Sequence, residues 1–224
     1  MSPRRYSGLF FTFEGIDGSG KTTQLQRFAD YVSRLRLPFL TTREPGGTEL
    51  GERIRRLLLP RASAGIDART EVLLYFAARA QNVAQTILPA LEQGRLVLCD
   101  RYTDASLAYQ GYGRGLDLRF IRQLHRVACQ NLKPDLTFVI DIDPRRSVRR
   151  ARRRLAATRH DEARFEEENL EFHQRVRRGY NALSRQEPRR VKLIPGDDTI
   201  EAVHQKIIAA ARPLLSRLTP GASA

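Results

Sequence analysis

An α/β fold with a five-stranded parallel sheet and helices on both faces follows from three features of this 224-residue chain. Short apolar runs alternate with longer amphipathic ones along its whole length, the pattern of repeated strand and helix units. The runs 9–13 and 95–99 are apolar almost throughout, so both faces of those strands must be covered, as in a parallel sheet. The first run also passes through Gly15, Gly18 and Gly20 directly into a helical pattern, the strand, glycine loop and helix of a phosphate-binding loop.

The elements follow in order. Residues 9–13 form the first strand, and a helix over 23–36 places Leu25, Phe28, Ala29, Val32 and Leu35 on one face. A second strand spans 38–42, and a helix over 48–59 is stopped by Pro60. A long helix over 69–93 keeps Val72, Leu73, Phe76, Ala77, Ala80, Val83, Ala84, Ile87 and Leu91 at helical spacing, with a kink at Pro89. The third strand, 95–99, is central. Helices over 103–109 and 117–129 precede a fourth strand at 136–142. Pro144 opens a helix reaching 154, and 155–163, which lacks apolar periodicity, reads as a loop. A helix over 166–183, a fifth strand at 191–194 and a helix over 199–218 complete the pattern, with a frayed tail at 219–224. No repeat or linker divides the chain, so 1–224 reads as a single domain carrying an arginine-rich lid at about 149–164.

Composition narrows the function classes. Hydrophobic residues make up 41%, ordinary for a soluble protein, and no apolar run approaches the roughly 20 residues a membrane span needs. Cys99 and Cys129 lie far apart in apolar contexts and read as small buried hydrophobes in a reducing compartment. The four histidines show no metal-ligand spacing. The net charge of +14, almost all of it from arginine, calls for an anionic partner, and nucleic acid and nucleotide phosphates both qualify. Arg145, Arg146, Arg149, Arg150, Arg152, Arg153, Arg154 and Arg159 follow one another with no acid among them. The aromatic interleaving of a single-strand binding platform is missing.

The chemistry concentrates in four places. Gly15-Ile16-Asp17-Gly18-Ser19-Gly20-Lys21-Thr22-Thr23 fits the phosphate loop in motif and in context. Its backbone N–H groups and the following helix end would cradle phosphate, Lys21 would reach the β- and γ-phosphates, and the Thr22 hydroxyl would hold Mg²⁺. Asp100-Arg101-Tyr102 ends the central strand, where ligands of open parallel sheets bind; Asp100 would serve Mg²⁺ and Arg101 an anionic substrate. Arg43-Glu44-Pro45-Gly46-Gly47-Thr48 follows the second strand; its Pro-Gly-Gly could be a plain turn, but the charges of Arg43 and Glu44 at a strand's carboxyl end favour a substrate contact. Tyr75 and Arg79 share a helix face at i, i+4, which suits a planar base, although from these residues alone the edge of a core is the better reading. From the residues alone, a nucleotide kinase and a nucleic-acid-stimulated nucleotide hydrolase both remain open.

These blocks, taken in order with Ala108-Tyr109-Gln110-Gly111, resemble bacterial thymidylate kinase over nearly the whole chain. The resemblance implies a P-loop NTPase fold, ATP with Mg²⁺ as phosphoryl donor, dTMP as acceptor, a cytoplasmic homodimer, and no membrane or nucleic-acid partner. It implies that Arg43, Arg55, Arg79 and Arg101 grip the phosphate or base of dTMP, and that Tyr75 stacks on thymine where a phenylalanine is usual. Ser106 and Gln110 match polar positions near the base, with Glu44 and Tyr109 in the same substrate set. Asp17 matches an acidic position near the sugar 3′-hydroxyl, and Pro45 a cis peptide. Two positions depart from the family pattern: Ala105 stands where many relatives carry serine, and Ala163 where many carry aspartate. Some relatives place an arginine inside the phosphate loop. Here that loop has none, so the catalytic arginine is expected in the lid, with Arg152 and Arg154 as catalytic candidates beside Lys21, Arg101 and Asp17, and Arg150 toward ATP.

Overall fold

The computed structural model describes residues 6–157, 164–165 and 168–218, with side chains described for 6–150, 164, 165 and 168–218. Strands β1 (Leu9–Glu14), β2 (Phe39–Arg43), β3 (Leu96–Asp100), β4 (Leu136–Asp141) and β5 (Val191–Pro195) form one parallel sheet in the order β2-β3-β1-β4-β5. Every residue of β1 is buried, as its unbroken apolar run requires. The strand period of two then divides its side chains between two cores. Leu9, Phe11 and Phe13 pack with Phe28 and Val32 of helix α1 (Lys21–Arg34) and with Val203 and Ile207 of the last helix (Ile200–Leu215). Phe10 packs on the opposite face with Val72, Phe76, Tyr102 and Ile121. Strand β1 thus lies between β3 and β4, with Phe13 opposite Asp100 on one side and Glu14 opposite Val139 on the other.

The remaining helices are α2 (Glu49–Leu58), α3 (Ala68–Asn82), α4 (Leu88–Glu92), α5 (Thr103–Ser106), α6 (Leu118–Cys129), α7 (Pro144–Ala157), α8 (Leu170–Gln186) and α9, the last helix. Thr48, Asp67, Asp117, Asn169 and Thr199 cap α2, α3, α6, α8 and α9 with side-chain oxygens that accept first-turn N–H groups. Gly51, for example, donates to Thr48 at 3.0 Å.

Several expectations are corrected. The helix expected over 69–93 is interrupted: α3 ends at Asn82, a π turn spans Val83–Ile87, and α4 follows. Pro89 has no N–H and its ring crowds the carbonyl four residues back, so the wider turn releases that strain without ending the helix. The helix expected over 103–109 is likewise α5 followed by a π segment, Leu107–Gly113. Leu155, expected in a loop, lies in α7, which runs to Ala157; residues 158–163 of the expected lid and the tail 219–224 fall outside the described residues. Helix α8 starts at Leu170 rather than 166, because Asn169 accepts the Phe172 N–H at 2.8 Å. Leu35, placed by periodicity on the buried face of α1, is the exposed residue that ends it. Cys99 and Cys129 are both buried and free, as their contexts implied.

Candidate active site

The loop after β1 is shaped by its glycines. Gly15 has φ 136°, and a Cβ there would lie 2.6 Å from the Ile140 carbonyl oxygen, so only glycine fits. The Ser19 N–H closes the loop onto the Ile16 carbonyl at 3.1 Å. Helix α1 then starts at left-handed Gly20 with no side-chain cap, so the positive end of its dipole faces the loop, where an anion is favoured. The Lys21 ammonium is almost buried and stands 3.8 Å from Asp17 Oδ1.

Across from the loop, the Thr22 hydroxyl donates to Asp100 Oδ2 at 2.7 Å. A hydroxyl and a carboxylate are the hard oxygen donors that Mg²⁺ takes, so the pair fits that ion. No group of three or more histidines, cysteines or acids able to hold a metal occurs among the described residues. The fit is therefore to a cation that draws its other ligands from phosphate and water.

Arg101 organises the next layer. It has φ 69°, and its N–H bonds to the Phe13 carbonyl at 3.0 Å. Its guanidinium donates to Asp17 Oδ1 at 2.6 Å and to the Tyr109 hydroxyl at 3.0 Å, and lies 4.6 Å from the centre of the Tyr109 ring. Tyr109 in turn donates to Asp17 Oδ2 at 2.8 Å. Burial alone would raise the Asp17 carboxyl; Arg101, Lys21 and the Tyr109 hydroxyl outweigh it and hold the group well below the usual carboxylate range. Behind them, Glu14 accepts the Tyr102 N–H and the Tyr180 hydroxyl, both at 2.7 Å. Burial pushes its carboxyl up to about 7, against the pull of Arg101.

A second group lies along α3. Arg79, 1% exposed, is ion-paired with Glu44 and donates to the Ser106 hydroxyl at 3.0 Å and the Tyr102 carbonyl at 3.2 Å. Burial works against its charge, and Glu44 more than restores it. Asn82 donates to Glu44 at 3.2 Å and accepts from Thr42 at 3.1 Å. Gly47, at φ 78°, packs so closely that a Cβ would meet Thr42 Oγ1 at 2.3 Å. The Glu44–Pro45 peptide is cis. Arg55 donates to the Pro45 carbonyl at 3.0 Å, and Arg43 makes a two-pronged pair with Glu52 at 3.1 and 2.9 Å. Gln110 donates to Glu71 at 2.7 Å. Tyr75 stands one turn from Glu71, its ring centre 6.4 Å from that of Phe165.

The fold thus brings Asp17, Lys21, Thr22, Asp100, Arg101 and Tyr109 into one cluster, and sets Glu44, Arg79, Ser106, Tyr75 and Gln110 beside α3. Arg43 and Arg55 sit by the cis turn, Arg43 more than half exposed. Arg150 is an exposed residue of α7, whereas the side chains of Arg152 and Arg154 lie outside the described residues. Sequence reasoning assigned no role to Glu14, Tyr180, Glu71 or Arg164. Glu14 carried a usable signal, an acid ending an apolar strand, the same pattern that singled out Asp100.

The thymidylate kinase family model matches residues 13–207. The chain is 50% identical over 200 residues to a thymidylate kinase of Syntrophotalea carbinolica, covering 89% of this chain and 93% of that relative. It is 47% identical over 209 residues to one of Solidesulfovibrio magneticus, covering 92% of this chain and all of the relative. Among solved structures, a thymidylate kinase from Ehrlichia chaffeensis matches with a TM-score of 0.74 at 35% identity, covering 90% of this chain and 97% of that one. With the family model spanning most of its length and such relatives matched over nine-tenths or more of theirs, this chain belongs to the thymidylate kinase family.

Proposed function

We propose that this chain carries out the family's reaction, transfer of the γ-phosphoryl group of ATP to dTMP to give dTDP and ADP, with the residues gathered at the carboxyl ends of β1 and β3. The observation that carries the assignment is the convergence of Lys21, the Thr22–Asp100 pair and the Arg101–Asp17–Tyr109 group on one loop. The acceptor is already a phosphate anion, so no strong base is required. Catalysis consists of alignment and neutralisation of charge. The residues Gly15 to Thr23 hold the donor phosphates, Lys21 places a cation at the transferred group, and Arg101 faces the acceptor phosphate. Thr22 and Asp100 would hold Mg²⁺, whose chemistry there is to neutralise phosphate oxygens. Asp17, kept anionic by its neighbours, is set to accept from the sugar 3′-hydroxyl.

On the acceptor side, Tyr75 supplies a ring face and Arg79 and Ser106 supply donors, with Gln110, Glu44, Arg43 and Arg55 around them. Arg150, Arg152 and Arg154 lie on α7 and are proposed to bring the remaining positive charge, Arg150 toward the nucleotide. We also propose one domain for 1–224, a cytoplasmic setting and a homodimer. No helix among the described residues is long and apolar enough to cross a membrane. Leu74 and Leu124 are partly buried within the chain; Leu73, placed by periodicity on the apolar stripe of the long helix, is instead 50% exposed, and Val127 is 78% exposed, and these two support pairing with a second copy. The deciding experiment compares dTMP, dUMP, dCMP and water as acceptors from ATP. Preference for dTMP with slow hydrolysis supports the assignment. Equal use of dCMP, or hydrolysis that depends on polynucleotide, overturns it.

A further inference from the structure

Glu71 takes no part in the chemistry above, yet it is a fully buried carboxylate at the acceptor site. It lies in the first turn of α3, and Tyr75 and Arg79 follow at i+4 and i+8 on the same helical stripe. Arg164 donates to its Oε2 at 2.6 Å and Arg114 approaches the same oxygen at 3.5 Å. Arg164 is itself fixed, by Nη1 to the Leu58 carbonyl at 3.1 Å and by its N–H to the Leu59 carbonyl at 3.2 Å. The other carboxylate oxygen, Oε1, accepts from Gln110 Nε2 at 2.7 Å.

That last contact fixes something a glutamine cannot fix alone. A side-chain amide has a donor end and an acceptor end, and rotation by half a turn exchanges them. A carboxylate flanked by two guanidinium groups offers only acceptors, so the NH₂ of Gln110 must face Glu71 and its carbonyl oxygen must face away. The neighbouring pair is comparable: Glu44 fixes the position of Arg79, whose guanidinium carries donors only. Gln110 and Arg79 are thus each held by a buried acid.

We propose that Glu71 is a positioning residue that sets pyrimidine selectivity by holding the Gln110 carbonyl oxygen toward the base. The inference rests on the acceptor-site reading above. Thymine and uracil carry an N3–H donor flanked by carbonyl oxygens, whereas cytosine has an acceptor at N3 and an amino group at C4. A fixed Gln110 acceptor beside fixed Arg79 donors matches the first edge and opposes both groups of the second. Freed from Glu71, Gln110 could turn its NH₂ toward cytosine N3.

The test measures kcat/KM for dTMP, dUMP and dCMP with the wild type, Glu71→Gln and Glu71→Asp. Glu71→Gln brings a donor to Gln110 and permits the flip. Glu71→Asp keeps the charge that faces Arg164 and Arg114, so it remains informative if Glu71→Gln does not fold. The dTMP-to-dCMP ratio is expected to fall roughly 10- to 100-fold in Glu71→Gln and less in Glu71→Asp. The dTMP-to-dUMP ratio should hold, because those bases share one edge. In a Gln110→Leu background, Glu71→Asp should change the dCMP ratio no further. A dTMP-to-dCMP ratio that both Glu71 variants leave unchanged, a fall that is equal for dUMP, or an effect that persists without Gln110 overturns the inference. A wild type that shows no preference for dTMP over dCMP overturns the acceptor-site reading itself, and the inference with it.

Discussion

Thr22 and Asp100 lie 78 positions apart in sequence, yet the threonine hydroxyl donates to the aspartate carboxylate at 2.7 Å. The bond joins the phosphate loop to the end of β3, next to the central strand β1, and each partner orients the other's oxygen toward the same space. Asp100→Asn and Thr22→Val should each raise the Mg²⁺ concentration needed for half-maximal rate, by roughly 10- to 100-fold. Initial rates across a Mg²⁺ titration measure this. An unchanged Mg²⁺ requirement in both variants would remove the pair from the metal site.

Lys21→Met keeps the length of the side chain and deletes its charge. Phosphoryl transfer should drop by roughly 10³-fold or more, while the melting temperature and circular dichroism stay close to the parent's. A folded variant with near-normal turnover is incompatible with the phosphate-loop assignment.

Arg101 makes both short contacts through Nη2, reaches the Tyr180 hydroxyl with Nη1 at 3.5 Å, and stacks on Tyr109 as well. A lysine cannot reproduce that planar fork, so Arg101→Lys should lower kcat by roughly 10²-fold despite the retained charge. Tyr109→Phe keeps the ring but loses the bond to Asp17, and its effect should fall mainly on KM for dTMP. Steady-state kinetics with dTMP as the varied substrate separates the two.

Glu14 predicts a pH effect on stability. Its folded carboxyl titrates at about 7, above the 4.5 of a free glutamate. Between those values the native state holds a proton that the unfolded chain has released, so this contribution is full below about 4.5 and fades as pH rises through about 7. The shift corresponds to roughly 3 kcal/mol. Glu14→Gln removes the titration, so the variant should gain stability relative to the parent as pH rises from 5 to 8. His125, held down to about 4 by burial, slopes the other way but is common to both proteins and cancels in the difference. Melting curves across that range decide the matter, and a constant difference between the two proteins would contradict it.

The arginines of the expected lid make the last prediction. Alanine at Arg150, Arg152, Arg154 or Arg159 should, in at least one case, cut turnover far more than it weakens dTMP binding. Turnover within a few-fold of the parent in all four would move the missing positive charge elsewhere.

The sheet and the phosphate loop were legible because they depend on local signals. Apolar strands such as 9–13, and glycines forced to positive φ, mark themselves in any sequence. Asp100 and Arg101 could be placed from the rule that ligands of parallel sheets bind at strand ends. What escaped depends on distant partners. Glu71 meets Gln110, Arg114 and Arg164 only after three separate segments fold together, and no spacing in the chain records that. Tyr180 bonds Glu14 across 166 positions for the same reason. The π turns were hidden because their residues keep helical spacing and differ only in how wide the turn opens.

The pairing of β1 with β3 sets Phe13 opposite Asp100 and leaves Arg43 opposite Asp100 on the far edge. Successive strand residues point to opposite faces, so sliding β3 by a single position would offer Thr22 the thiol of Cys99, or turn Asp100 into the core. The Thr22–Asp100 bond can close in one alignment of the central strands only. It therefore works as an indexing mark: on the proposed reading of the pair, a chain whose strands have zipped up one notch out of step loses its cation site as well as its packing, and activity reports that the middle of the sheet has assembled in step.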